Sequence, residues 1–339
     1  MTFCSESDTV VDMKKYISHL SAACRWPIPY LGDIFGADYM NKYRNGQLVD
    51  FTVTGTRAEI KNVSTTNISG THISGTDMSG ADMSGAGMSG TDMSGTDIIG
   101  NITYIGHSCA IPHPRGAVVK ADKEWVASPE LVFLELAAKI DIHRLILLGL
   151  QMCSHPPGKP NSALTTKRKL QALIKKMPGF KGHVNAERAI LYIENGSNSI
   201  MESLSYMILT LPHSLGGFGL SGASFNHEIV LDSEGRKHLK QKRCFVDLFY
   251  KRKNLAIEYD SFAHHSTPSE QGKGLQRSTT LWRQGIDVLQ LSPIQIYKKE
   301  SCTEFAQNLA SRLEKRVRIR AKGFPAAHEN LRSLLPSKT

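Results

Sequence analysis

The chain has 339 residues, 40% of them hydrophobic and 21% charged, which is enough for two domains of ordinary size, each with its own core. Its formal charge of +10 and isoelectric point near 9.3 suit a polyanionic partner, and no acylation signal favours a membrane. The first twenty residues mix Ser, Glu, Asp and Lys with no continuous apolar stretch, so neither a signal peptide nor a spanning segment is expected, and the expected location is cytoplasmic.

Residues 9–24 carry Val11, Met13, Tyr16, Ile17, Leu20 and Ala23 at spacings of three and four, which predicts a helix. The run Trp26-Pro27-Ile28-Pro29 stops it. A short helical or turn segment follows to Tyr43, and Leu48 to Val53 reads as a strand. The six cysteines, Cys4, Cys24, Cys109, Cys153, Cys244 and Cys302, form no C-x-x-C pair, which argues against a zinc site or a disulfide framework.

From Asn62 to Gly100 the composition changes to a period of five, in units such as TNISG, TDMSG and ADMSG. Val63, Ile68, Ile73, Met78, Met83, Met88, Met93 and Ile98 recur with a small residue two positions before each. This pattern resembles the pentapeptide repeats, whose resemblance implies a four-sided right-handed β-helix. Eight units would make only about two coils, a marginal solenoid. Asp77, Asp82, Asp92 and Asp97 supply too little acid for a surface that mimics DNA. A Gly/Ser/Thr-rich loop insertion without chemistry of its own and a protein-contact surface both remain open.

Beyond the repeat, strand-like pieces run from Asn101 to Val119 around the turn Pro112-His113-Pro114-Arg115-Gly116. Ser128 and Pro129 fit the N-cap and first position of a helix, and a second helix runs from Ile142 to Met152. The Pro-rich run at 156–160 is the expected linker. Thr165 to Lys176 reads as a basic amphipathic helix, with Lys167, Arg168 and Lys169 as candidate phosphate contacts. Asn185–Glu194 and Asn198–Leu211 are two more expected helices, the latter with Glu202 in its first turn, where the helix dipole favours an acid.

The stretch Phe245–His265, FVDLFYKRKNLAIEYDSFAHH, reads as a β-hairpin around the basic turn Lys251-Arg252-Lys253-Asn254. Side chains alternate along strands, so Asp247 shares a face with Phe245 and Phe249, and Glu258 and Asp260 share one with Ala256. A half-buried carboxylate costs several kcal/mol unless paired or metal-bound. Three clustered acids match the hard oxygen ligands of Mg²⁺ or Mn²⁺, although a cross-hairpin pair between Glu258 and Arg252 or Lys253 would also account for one of them. A helix from Arg277 to Gln284 and a strand from Gly285 to Leu291 follow.

Residues 197–291 resemble the very-short-patch-repair branch of the PD-(D/E)xK nucleases (DUF559-like). The resemblance rests on Glu202, Val246-Asp247-Leu248, Ile257-Glu258-Tyr259-Asp260, His264 or His265, Arg277, and Gly285 with Val288. It implies a metal-dependent endonuclease. Asp247, Glu258 and Asp260 would be metal ligands, Glu202 a further acid, and His264 or His265 the general acid or base. Asp260 stands where the superfamily usually has lysine, a departure shared with this branch, and Gly274 stands where an acid is common. Residues 123–153 resemble, over a short stretch, the AbiEi-type antitoxins. In the tail, Arg316, Arg318 and Arg320 alternate and suit phosphate contact, as does Arg277.

The expected architecture is α/β. A mixed, mainly helical domain spans 1–155 and carries the 62–100 insertion, 156–196 forms a linker and basic helical region, 197–325 forms a restriction-endonuclease-like core with a mixed sheet flanked by helices, and 326–339 is a tail. The expected function is phosphodiester hydrolysis of DNA in a defence or toxin–antitoxin-like setting, with a protein partner for the repeat. The rival is a non-catalytic DNA-binding or antitoxin-like regulator with a decayed nuclease fold.

Overall fold

The computed structural model describes residues 15–54, 95–99, 102–260 and 268–337. The front half contains β1 (Lys15–Ile17), α1 (His19–Arg25), α2 (Leu31–Phe35), α3 (Ala37–Arg44), β2 (Leu48–Thr54), β3 (Gly95–Ile99), β4 (Ile102–Cys109), β5 (Val118–Ala121), β6 (Glu124–Ala127), α4 (Pro129–Leu136) and α5 (Ile142–Met152). Next come α6 (Lys167–Lys176), α7 (His183–Ile190), α8 (Ile200–Thr210), β7 (Ser224–Val230), α9 (Ser233–Leu239), β8 (Arg243–Tyr250) and β9 (Leu255–Tyr259). The chain continues through α10 (Pro268–Arg283), β10 (Asp287–Leu291), α11 (Pro293–Tyr297), α12 (Lys299–Arg312) and α13 (Phe324–Arg332). No described helix is long and apolar enough to cross a membrane.

The chain forms two compact units that interleave in sequence. One takes Met1–Pro27, Ala37–Ile140 and Arg168–Glu187; the other takes Ile28–Gly36, Asp141–Lys167 and Arg188–Thr339. These units are discontinuous, whereas the boundaries expected at 155 and 196 are linear. The Pro-rich run at 156–160 lies inside the second unit, where Gly158 packs against the ring of Phe245.

The first unit holds a six-stranded mixed sheet, ordered β3-β4-β2-β1-β6-β5, so the mainly helical domain expected there is corrected to α/β. The helix expected over residues 9–24 is corrected too: its part before Lys15 lies outside the described residues, Lys15–Ile17 pair with β2, and the helix begins only at His19. The Ser18 N–H donates to the Asp50 carbonyl, and His19 takes a left-handed φ of 49° that breaks strand from helix.

A buried polar chain sits on that junction. The Tyr16 hydroxyl donates to Glu135 Oε1 at 2.8 Å and lies 3.0 Å from His113 Nε2, while the His19 backbone N–H donates to Glu135 Oε2 at 2.8 Å. The His19 ring stacks on His107 at 3.9 Å, and His107 Nε2 lies 3.1 Å from Asp50 Oδ1. Glu135 is buried in α4, and burial pushes its carboxyl up to about 8. Hydrogen bonds of this kind fix β1 to α4 at the cost of desolvating an acid.

The second unit is built on a four-stranded sheet, ordered β10-β9-β8-β7, with β9 and β10 parallel and the other pairs antiparallel. Helices α5 and α8 are buried almost throughout and pack on one another, with the Gln151 amide donating to Ser203 Oγ at 2.7 Å. Leu204, Met207 and Ile208 are fully buried, each contributing roughly 2 kcal/mol. Helix α8 also touches β8, and this contact carries Glu202 to the sheet. At Gly216, φ is 76° and an added Cβ would stand 2.4 Å from the Ala327 backbone, so α13 docks where only glycine fits.

Candidate acidic site on the second sheet

The expected hairpin is present. Strand β8 turns through a 3-10 segment, Lys251–Lys253, with Asn254 left-handed at φ 45°, into β9. The register pairs Leu248 with Ile257 and Phe249 with Ala256, so continuing it sets Asp247 opposite Glu258 on one face. On the other side of β8, Phe225 pairs with Leu248 and His227 with Val246, which leaves Asn226 opposite Asp247. Gln290 pairs with Glu258. One row thus runs Asn226, Asp247, Glu258, Gln290 across all four strands.

Each acid in this region has a fixed partner. Ser199 caps α8 by accepting the Glu202 N–H, and the Glu202 carboxylate reaches back to accept the Asn198 N–H at 3.0 Å. Its Oε2 also accepts from Asn226 Nδ2 at 2.7 Å. Asp247 Oδ2 accepts the Tyr259 N–H at 2.8 Å, and Glu258 Oε1 accepts from an Arg277 guanidinium nitrogen at 2.7 Å. The same guanidinium nitrogen donates to the Phe245 carbonyl.

Electrostatics tie three of these carboxylates together. Burial pushes Glu258 up to about 8, the Asp247 charge adds to that rise, and Arg277 opposes it. Burial and then the Asp247 charge push Glu202 up to about 7. Asp247 itself is raised by burial, against the pull of the Tyr259 N–H and Arg277. Near neutral pH the group therefore holds at least one proton more than three ordinary carboxyls would.

The structure thus brings Glu202, Asp247, Glu258 and Arg277 together. Asp260 lies just past the end of β9, its N–H donates to the Leu291 carbonyl, and its charge adds to the rise of the Tyr259 phenol. His264 and His265 lie outside the described residues. Lys167 is held by Glu194 at 2.9 Å, Arg168 and Lys169 are exposed on α6, and Arg277 faces Glu258. Arg316, Arg318 and Arg320 are exposed in an irregular stretch after α12, where the first two line a hollow of about 600 Å³.

As they stand, Asp247 Oδ2 faces a backbone N–H and Glu258 Oε1 faces Arg277. Among the described residues no group of three His, Cys, Asp or Glu side chains is arranged to hold a metal ion. The donor chemistry nevertheless fits a hard divalent cation: three carboxylates on adjoining elements, one buried and two half-buried, each raised by burial and, for Glu202 and Glu258, raised further by the Asp247 charge. Sequence reasoning missed Asn226. Its strand, SFNHEIV, alternates through Phe225, His227 and Ile229 and was legible, but its φ of 43° was not.

Comparison with known proteins identifies one segment. Residues 64–98 match the pentapeptide repeats in eight copies. This is a pentapeptide-repeat segment. No curated protein and no solved structure matches the chain. The end of the repeat segment is seen in β3, which runs antiparallel to β4 from Gly95 opposite Gly106 to Ile99 opposite Ile102. The expected coils over its earlier units lie outside the described residues.

Proposed function

We propose that the second unit is a metal-dependent nuclease that hydrolyses phosphodiester bonds of DNA, in the manner of the PD-(D/E)xK nucleases it resembles in sequence. The observation that carries this reading is the electrostatic coupling of Glu202, Asp247 and Glu258, one buried and two half-buried acids contributed by a helix and two adjacent strands of one mixed sheet. Buried like charges are expensive, and sites of chemistry are where that expense recurs.

Asp247 and Glu258 would hold Mg²⁺ or Mn²⁺, with Asp260 and Glu202 reaching it directly or through water. A bound ion of this kind supplies an acidified water and offsets charge on the phosphate. The residues of the chain do the positioning. Arg277 steadies Glu258, Asn226 fixes Glu202, and the Tyr259 N–H fixes Asp247. Glu202, raised to about 7, exchanges a proton near neutral pH, and His264 or His265 serves as the general acid or base.

The rival reading is a DNA-binding or antitoxin-like regulator that kept a decayed nuclease fold. Two observations favour it: Arg277 occupies Glu258, and Asp260 stands in the lysine position. Incubating the protein with supercoiled plasmid and 5 mM Mg²⁺ separates the two. Nicking that EDTA stops and that Asp247→Ala and Glu258→Ala abolish supports the enzyme. Tight plasmid binding with no cleavage in Mg²⁺ or Mn²⁺ leaves the regulator.

A further inference from the structure

The basic turn of the hairpin and the arginine stretch after α12 have no part in the chemistry proposed above, and the second unit brings them side by side. The pair expected between Glu258 and Arg252 or Lys253 is not formed, since Glu258 faces Arg277 and Lys253 Nζ lies 2.5 Å from Glu314 Oε2. Glu314, just past α12, takes a left-handed φ of 55° and lines the hollow of about 600 Å³ together with Arg316 and Arg318. A second tie runs through β10: the Asp287 N–H donates to the Asn254 carbonyl at 2.9 Å, and the Arg312 guanidinium holds the Asp287 carboxylate. Glu314 and Asp287 are thus each neutralised from within the unit. Lys251, Arg252, Arg316, Arg318 and Arg320 are exposed, and among the described residues no carboxylate holds any of them. Residues 315–321 run without helix, strand, turn or bend, and the backbone N–H groups of 316–321 have no protein acceptor among the described residues.

We propose that Lys251 and Arg252 of the turn and Arg316, Arg318 and Arg320 of the stretch form one surface that holds the sugar–phosphate backbone of duplex DNA at the turn end of the hairpin. Cations without a carboxylate partner, on two adjoining segments, select a polyanion. Spread along residues 316–320 and across to the turn, they exceed what a single phosphate group can face, which selects a polymer. The backbone N–H groups of the stretch add further donors for phosphate oxygens. The same feature disfavours a bilayer, because unpaired backbone groups cannot enter hydrocarbon, and Ile319 is the one large apolar side chain that residues 315–321 expose. The position also suits the acidic row. Asp247 lies four residues before Lys251 and Glu258 four after Asn254, so at about 3.3 Å per residue the turn stands about 13 Å along the hairpin from both acids, within the span of one duplex. The proposal rests on the nuclease reading only for the identity of the polyanion, since binding needs no catalysis.

The test uses the full chain in EDTA, so that cleavage does not intrude, and a fluorescein-labelled 20-base-pair duplex read by anisotropy across a salt series. Arg252→Glu, Arg316→Glu and Arg318→Glu combined should weaken binding at least 30-fold at 100 mM NaCl. The magnitude of the log–log salt slope should fall by about 2.7, three contacts at about 0.9 each. The alanine triple should show the same change of slope with a milder loss of affinity, and it decides the matter if the reversal triple misfolds. Lys237→Glu, Lys240→Glu and Lys242→Glu combined make the same charge change on exposed positions of the same unit, at the opposite end of β8 from the turn, and should cost less than threefold. The proposal is overturned if the folded arginine variants bind like wild type, or if the control triple loses as much. Surface-dependent binding to phosphatidylserine vesicles with duplex binding untouched also overturns it. A protein that never cleaves yet shows the arginine-dependent slope loses the nuclease reading and keeps this surface, whereas one that cleaves with binding indifferent to the arginines keeps the nuclease and loses the surface.

Discussion

Asp247→Asn should make the folded protein more stable at alkaline pH and leave it unchanged in acid. Folded values of about 8 for Glu258 and about 7 for Glu202 stand above the ordinary 4.5. A carboxyl raised on folding contributes stability that is intact below its unfolded value and is lost as pH climbs through its folded value, here between about 4.5 and 8. At about 1.4 kcal/mol per pH unit, gaps of about 3.5 and 2.5 set a ceiling near 8 kcal/mol for the pair. Burial is the larger cause in both, so Asp247 accounts for a minor share, roughly 1–2 kcal/mol. Asparagine keeps an oxygen to accept the Tyr259 N–H, which isolates the charge. Urea unfolding in EDTA at pH 4.5 and pH 9 measures it: the variant should gain about 1–2 kcal/mol at pH 9 and nothing at pH 4.5. Adding Mg²⁺ at pH 9 should stabilise wild type by RT ln(1 + [Mg²⁺]/Kd), about 2.7 kcal/mol at one hundred times Kd, and should leave the variant behind. A stability difference that does not change with pH would refute the coupling.

Three further outcomes follow from the same physics. Glu135→Gln should be neutral at pH 5 and stabilising by about 4 kcal/mol at pH 9, because the Glu135 carboxyl is raised to about 8; urea midpoints at the two pH values check this. Asn226→Gly keeps the left-handed φ while Asn226→Ala opposes it, so alanine should lose about 1 kcal/mol more in unfolding free energy. Both variants should lower any nicking rate about tenfold, because both remove the amide that holds Glu202; equal stability of the two, or an unchanged rate, counts against the role assigned to Asn226. Gly216→Ala should cost about 3 kcal/mol, since its Cβ would meet the Ala327 backbone at 2.4 Å in a left-handed residue; thermal melts with limited proteolysis of α13 would show it.

Where local chemistry decides structure, the sequence was legible. Ser128 accepts the Leu131 N–H and Pro129 opens α4, and α5 runs from Ile142 to Met152 as its apolar spacing predicts. Period-two alternation gave the face that Asp247 and Glu258 share within their own strands, and the register, which alternation does not supply, sets the two opposite one another. Asp260 follows the last residue of β9, Tyr259, with its N–H still bonded to the Leu291 carbonyl of the neighbouring strand. Tyr16 and Ile17 satisfied a helical spacing by coincidence; a long-range bond from Tyr16 to Glu135, 119 residues away, holds them as strand. Glu135 itself was hidden in the run LVFLELAAKI, whose helix is buried on every side, so no polar face marked it. Asn226 required a backbone angle that residue type alone does not specify.

The most direct test of the acidic site is a Mn²⁺ titration of the full chain at pH 8, followed by the electron paramagnetic resonance signal of the free ion. The account predicts one bound ion in wild type, displaced by Mg²⁺, and its loss in Asp247→Asn and Glu258→Gln. Mn²⁺ that stays free with wild type, or binds all three proteins alike, would contradict it.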